Sequence, residues 1–149
     1  MKIRVINGPN LNMLGIREPE IYGHATYADL EAYVRESAAA LGVDVEVFQS
    51  NHEGELVDYI QQALSAADGI VINPAAYTHT SVAILDALKA VGLPAVEVHL
   101  SNVQSREAFR RVSYPSLACI EVIAGLGFEG YKKAMEVLTA NDSILWKKF

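Results

Sequence analysis

The sequence predicts an α/β fold, an open parallel sheet of five strands with helices on both faces. Three observations predict it. Short apolar runs of strand length alternate with longer stretches of helical period, which implies right-handed βαβ units. One of those runs, residues 69–72 (Gly-Ile-Val-Ile), contains no polar side chain and reads as a central strand covered on both faces. Finally, three polar clusters each follow a strand-like run directly, at the sheet edge where open α/β folds bind their ligands.

The elements follow in order. Residues 3–6 are short and β-branched at three of four positions, and Asn7-Gly8-Pro9 stops them. The first helix starts at Thr26, with Asp29 three residues on as a capping box. It buries Leu30, Tyr33, Val34, Ala38 and Leu41, and Gly42 ends it. Residues 43–48 form strand two, whose alternating Asp44 and Glu46 place it at a wet face or edge. The second helix sets Leu56, Ile60, Ala63, Leu64 and Ala67 on one stripe. After the central strand, a third helix spans about 81–91, closed by Gly92 and Pro94. Strand four is 95–98, a short helix covers 105–111, and strand five is 117–124. The last helix, 127–139, turns Tyr131, Ala134, Met135 and Leu138 inward. Five strands make the flavodoxin-like order 2-1-3-4-5 the natural arrangement, a three-layer sandwich with its crevice between strands one and three.

The 149 residues fit one domain, 1–149, large enough to bury roughly 70% of its unfolded surface. Within it, residues 7–25 connect two elements with nearly twenty residues, where about 2–6 is usual. Glycines and prolines punctuate that stretch, and Arg17 and Tyr22 lie inside it, so residues 10–24 read as a lid rather than a surface excursion. Residues 140–149 form a C-terminal tail. A hydrophobic content of 51% with 20% charged residues describes an ordinary globule, and a net charge of −6 gives no footprint for nucleic acid. No apolar run approaches the ~20 residues of a membrane span, and the start is too short for a signal peptide before Gly8-Pro9. A cytoplasmic protein is expected. The one cysteine, Cys119, sits in an apolar stretch with no nearby histidine and reads as a structural thiol.

The chemistry lies in the clusters. His99 ends strand four, and Glu97 two residues earlier shares its face of the strand. The carboxylate can orient the imidazole and favour its protonated form, which suits a general acid; a purely structural His–Glu pair is equally consistent. Tyr22 lies five residues after Arg17. A free tyrosine, with pKa about 10, is almost wholly neutral at pH 7, and a nearby guanidinium favours the phenolate. Such a phenolate would serve as base toward a carbon acid beside a carbonyl, although a tyrosine packed by its ring is the commoner arrangement. His79 can donate to a ligand oxygen or cap the third helix. Ser101, Asn73 and backbone amides after strand four can hold a carboxylate, against plain turn chemistry as the alternative. Arg106 and Arg110 share a helical face and can add charge.

Other chemistries lack their residues. No histidine pair has metal-ligand spacing with a carboxylate helper, and no Cys pair exists. None of the lysines follows a strand at the active edge, which removes a Schiff-base nucleophile. The loop after strand one is neither a P-loop nor G-x-G-x-x-G. A phospho-receiver would carry acids where this chain has Asn7 and Asn73.

From residue 3 to about 138 the chain resembles the type II 3-dehydroquinate dehydratases. The motifs that carry the resemblance, in order, begin with Asn7-Gly8-Pro9-Asn10-Leu11-Asn12, Arg17-Glu18-Pro19-Glu20-Ile21-Tyr22-Gly23 and Gln49-Ser50-Asn51-His52-Glu53-Gly54. Asn73-Pro74 through Ser81 and Glu97-Val98-His99-Leu100-Ser101-Asn102 with Arg106-Glu107 complete them. The resemblance implies a flavodoxin-like fold and dehydration of 3-dehydroquinate to 3-dehydroshikimate through an enolate, without metal or cofactor. It implies that Tyr22 is the base, that Arg17 on the lid keeps it ionised, and that Asn10 helps hold a water at the enolate oxygen. His99, oriented by Glu97, would protonate the departing hydroxyl. Asn73, Ser101 and the backbone at Leu100 would bind the carboxylate, His79 and Arg110 the ring hydroxyls. Asp86 would reach in from a neighbouring subunit of a homododecamer built from trimers.

Departures are mild. Met13 and Ile16 replace the usual Leu and Thr or Ser, Glu121 stands where a small residue is usual, and the tail ends Ile-Leu-Trp-Lys-Lys-Phe. None touches an implied catalytic position. Two readings of other classes remain: a flavodoxin-like domain that binds a nucleotide or flavin without catalysis, and an assembled but inactive scaffold.

Overall fold

The computed structural model describes residues 1–16 and 18–145. Arg17 lies outside the described residues, as do the side chain of Tyr22 and the end of the tail. Strands β1 (Lys2–Asn7), β2 (Asp44–Gln49), β3 (Gly69–Asn73), β4 (Ala95–His99) and β5 (Glu121–Ala124) form one parallel sheet. Its order is 2-1-3-4-5, as expected. The half-wet strand predicted from Asp44 and Glu46 is indeed an edge, and β3, apolar from 69 to 72, is the centre, buried at all five positions.

Helices α2 (Tyr27–Leu41) and α5 (Glu129–Leu145) cover one face, α3 (Glu53–Ala66) and α4 (Val82–Val91) the other. Period two splits the strands between two cores. Ile3, Val5, Val71 and Val98 pack with Leu30, Val34, Tyr131, Met135 and Leu138. Ile6, Ile70 and Ile72 pack with Leu56, Ile60, Ile84 and Leu88. The capping box of α2 is present: Thr26 Oγ1 accepts from Asp29 N–H at 3.2 Å, and Asp29 Oδ2 from Thr26 N–H at 2.8 Å. Four predicted inward residues of α5, Tyr131, Ala134, Met135 and Leu138, are fully buried.

Some expectations are corrected. Strand five begins at Glu121 rather than 117, because Pro115 opens a 3₁₀ turn, Pro115–Ala118, that its fixed φ favours. Leu117 is accordingly 71% exposed. The short helix at 105–111 is two 3₁₀ turns, Val103–Ser105 and Ala108–Arg111. Leu64 lies off the buried stripe of α3 and is exposed, while α5 runs beyond 139. The long connection after β1 contains a 3₁₀ turn, Leu11–Met13, and a helical turn α1, Pro19–Tyr22. Leu11 and Leu14 are buried in the core, so its first half is anchored.

The loops after β1 and β3 touch at Gly8. Its N–H donates to the Asn73 carbonyl at 2.8 Å, and a Cβ there would lie 2.4 Å from the Pro74 carbonyl oxygen. Both neighbours are backbone and cannot step aside cheaply. Gly8→Ala is therefore expected to lower stability by about 1–3 kcal/mol, read as an earlier urea midpoint. An unchanged midpoint would mean that the two loops part without cost.

Candidate active site

Where the loops after β1, β3 and β4 converge they enclose a cavity of about 300 Å³. β1 leads to Asn10, whose left-handed conformation (φ 69°) turns the chain, and whose N–H donates to Asn51 Oδ1 at 3.1 Å. Gln49 Nε2 donates both to that oxygen and to the Gly8 carbonyl, each at 3.1 Å, which ties the loop after β2 to the loop after β1. β3 ends on Asn73 and β4 on His99, with Leu100 and Ser101 directly after it; all four line the cavity. His79, Arg106 and Arg110 line the far side.

Asn73 and Asn7 are partners in register across β1 and β3. Between them lies the hydroxyl of Tyr131, which donates to Asn7 Oδ1 at 2.7 Å and accepts from Asn73 Nδ2 at 3.0 Å. The phenol is fully buried, and burial holds it neutral far above its ordinary range. Asn73 Oδ1 takes the Ala75 N–H at 3.2 Å, pinning a residue held at φ 53°. An Asn side chain has two N–H donors. With its oxygen and one donor engaged inside, the second N–H is what Asn73 can offer the cavity.

Glu97 is completely buried and His99 nearly so. His99 Nε2 lies 2.5 Å from Glu97 Oε1, the shared-face pairing expected from their spacing. With the carboxylate as acceptor Nε2 donates, leaving Nδ1 for the cavity side. Ser113 Oγ donates to both Glu97 oxygens, at 2.9 and 2.8 Å. His79 does not cap α4: Ser81 Oγ does, accepting from Ile84 N–H at 2.9 Å. His79 Nδ1 instead donates to the Val112 carbonyl at 2.7 Å, so Nε2 is its free nitrogen.

Arg110 Nε donates to Glu107 Oε2 at 2.8 Å, and Arg106 Nε lies 3.9 Å from the same oxygen. Glu107 is itself exposed and outside the lining. The described lining thus carries two arginines, two histidines and amide or hydroxyl groups, with no carboxylate among its described residues. That balance suits a small anionic polyol. Asp86 is exposed on α4 and does not line this chain's own cavity. Cys119 is half-buried; burial and the nearby Glu97 charge push its thiol up to about 12, consistent with a structural residue.

Of the expected site residues, Asn10, Asn73, His79, His99, Leu100, Ser101 and Arg110 come together here, with Glu97 behind His99. Of the expected base and its arginine, the side chain of Tyr22 and the whole of Arg17 fall outside the described residues. Arg106 was anticipated only as a source of charge. Ser113 and the hydroxyl of Tyr131 were missed. A tyrosine at a core position of a helix must find a polar partner, and that signal was available; a serine between two turns gives none.

Residues 1–139 match the family described as dehydroquinase class II. The 3-dehydroquinate dehydratase of Clostridium acetobutylicum is 54% identical over 138 residues, covering 93% of this chain and 96% of the relative. The catabolic 3-dehydroquinase 1 of Aspergillus terreus is 57% identical over 145 residues, covering 97% and 95%. The crystal structure of the type II dehydroquinase from Butyrivibrio crossotus superposes with a TM-score of 0.92 at 50% identity, covering 93% of this chain and 97% of that one. By its fold and by residues 1–139, this chain belongs to the class II dehydroquinase family.

Proposed function

We propose that the chain dehydrates 3-dehydroquinate to 3-dehydroshikimate, a shikimate-pathway step, through an enolate. The observation that carries the reading is His99. Its Nε2 is held by a fully buried carboxylate, at the wall of a cavity whose other polar groups suit a hydroxylated carboxylate. The Tyr22 phenolate, kept ionised by Arg17, removes the proton beside the ketone. Asn10 helps hold a water at the enolate oxygen. His99 then gives its proton to the β-hydroxyl, which leaves as water. Asn73, Ser101 and the Leu100 backbone bind the carboxylate; His79 and Arg110 bind the ring hydroxyls.

No step calls for a metal or an imine. Adding 3-dehydroquinate is expected to produce the ultraviolet absorbance of the conjugated enone. EDTA, or borohydride with substrate present, should leave the rate unchanged. No absorbance growth would overturn the reading in favour of a binding domain or an inactive scaffold. Loss with EDTA or trapping by borohydride would overturn the mechanism.

Asp86 supports a shared site. Five residues past the Ser81 cap of α4, it stands roughly 7 Å along the helix axis at about 1.5 Å per residue. It is exposed there and outside its own cavity's lining, which supports a role in a neighbour's cavity. From the family resemblance we expect a closed homododecamer of trimers by light scattering, with activity lost on dissociation. A fully active monomer would refute the role of Asp86.

A further inference from the structure

Three consecutive residues, Val112, Ser113 and Tyr114, form a strap between two 3₁₀ turns and lie outside the cavity lining. Each bonds toward the site. The Val112 carbonyl accepts from His79 Nδ1 at 2.7 Å, and Tyr114 N–H donates to the Thr78 carbonyl at 3.0 Å. Ser113 Oγ donates to Glu97 across both carboxylate oxygens.

The third contact matters most. A glutamate's last torsion is broad and roughly two-fold, so packing alone fixes its carboxylate plane poorly. Among the described residues, His99 bonds only Oε1, and Ser113 is the hydrogen-bond donor to Oε2. A hydroxyl has a single proton, which here is shared between the two oxygens. Its direction is set from behind: Ser116 N–H donates to Ser113 Oγ at 3.1 Å, so the proton of Ser113 is turned toward Glu97. Ser116 Oγ closes the turn on the Ser113 carbonyl at 2.9 Å. Cys119, the other titratable group that feels Glu97, is held neutral by its burial and by that charge.

We propose that Ser113 is a positioning residue for His99: it fixes the plane of the Glu97 carboxylate, which in turn fixes the imidazole against the substrate. The proposal rests on the reading of His99 as the proton donor. Losing the serine hydroxyl leaves Glu97 buried with one donor in place of two, free to rotate about its last bond. The ring then loses its fixed aim while the substrate-binding groups stay where they are.

The test uses the whole protein in its native assembly. Ser113→Ala is expected to lower kcat by about 10–100-fold, the range typical when an outer partner of an oriented histidine is removed, with KM changed by less than about two-fold. Ser113→Thr, which keeps the hydroxyl, should recover most of the rate. In a Glu97→Gln background, Ser113→Ala should add less than about two-fold, because the two act as a unit. An unchanged kcat in Ser113→Ala overturns the proposal. So does an equal loss in Ser113→Thr accompanied by a lowered Tm, or a full multiplication of effects in the double variant. His99→Ala in parallel separates the failures. If it too leaves kcat unchanged, the proton-donor reading beneath the proposal has failed; if it abolishes turnover, Ser113 alone was misassigned.

Discussion

Replacing His99 by alanine is expected to lower kcat by about 10²–10⁴-fold while KM stays within a few-fold. Positioned acid catalysis is worth roughly that much when the leaving group is a poor one such as hydroxide. The geometry suits the imidazole to this proposed role. Nε2 faces Glu97 at 2.5 Å, and the carboxylate has no exposure to water, so the ring is held from one side and offers the other to the cavity. Glu97→Gln keeps the shape but removes the charge, and should cost less than His99→Ala because the ring remains in place. Stopped-flow or steady-state absorbance of the enone product reads both. Turnover in His99→Ala within ten-fold of the parent would show that another group protonates the leaving hydroxyl.

Much of this was legible in the sequence, for physical reasons. Residues 69–72 could be placed at the centre of the sheet because four apolar residues in a row tolerate water on neither face. The start of α2 was legible because Thr26 and Asp29 satisfy each other's backbone amides in one specific spacing. Glu97 and His99 could be paired because strand periodicity leaves them no alternative face. Between 103 and 120 the rules fail together. The turns there are 3₁₀ and too short for a helical period, Pro115 converts an apolar run into a turn, and Leu117 and Ile120 face outward. Polar bonds such as Ser113 to Glu97 join residues sixteen apart whose approach depends on that irregular path. No local pattern encodes them.

Tyr22→Phe is expected to remove nearly all turnover while substrate still binds. The argument begins with what the cavity lacks. Among its described lining there is no carboxylate, lysine, cysteine or tyrosine, so a base toward a carbon acid must be a histidine or must come from outside that lining. His99 Nε2 is committed to Glu97, and the proposed mechanism gives its ring the opposite proton transfer. His79 is the one described competitor: Nδ1 donates to the Val112 carbonyl, which leaves a lone pair on Nε2. Tyr22 ends the helical turn α1 in the segment whose start Leu11 and Leu14 anchor beside the cavity, and its side chain lies outside the described residues. Its claim rests on the motif from Arg17 to Gly23 and on the guanidinium five residues away. The two candidates separate cleanly by substitution. If Tyr22 is the base, Tyr22→Phe loses at least about 10²-fold in kcat, and His79→Gln acts chiefly on KM through the ring hydroxyls. If Tyr22→Phe keeps a tenth of the rate and His79→Gln does not, proton abstraction belongs to His79, and Arg17 has no phenolate to sustain.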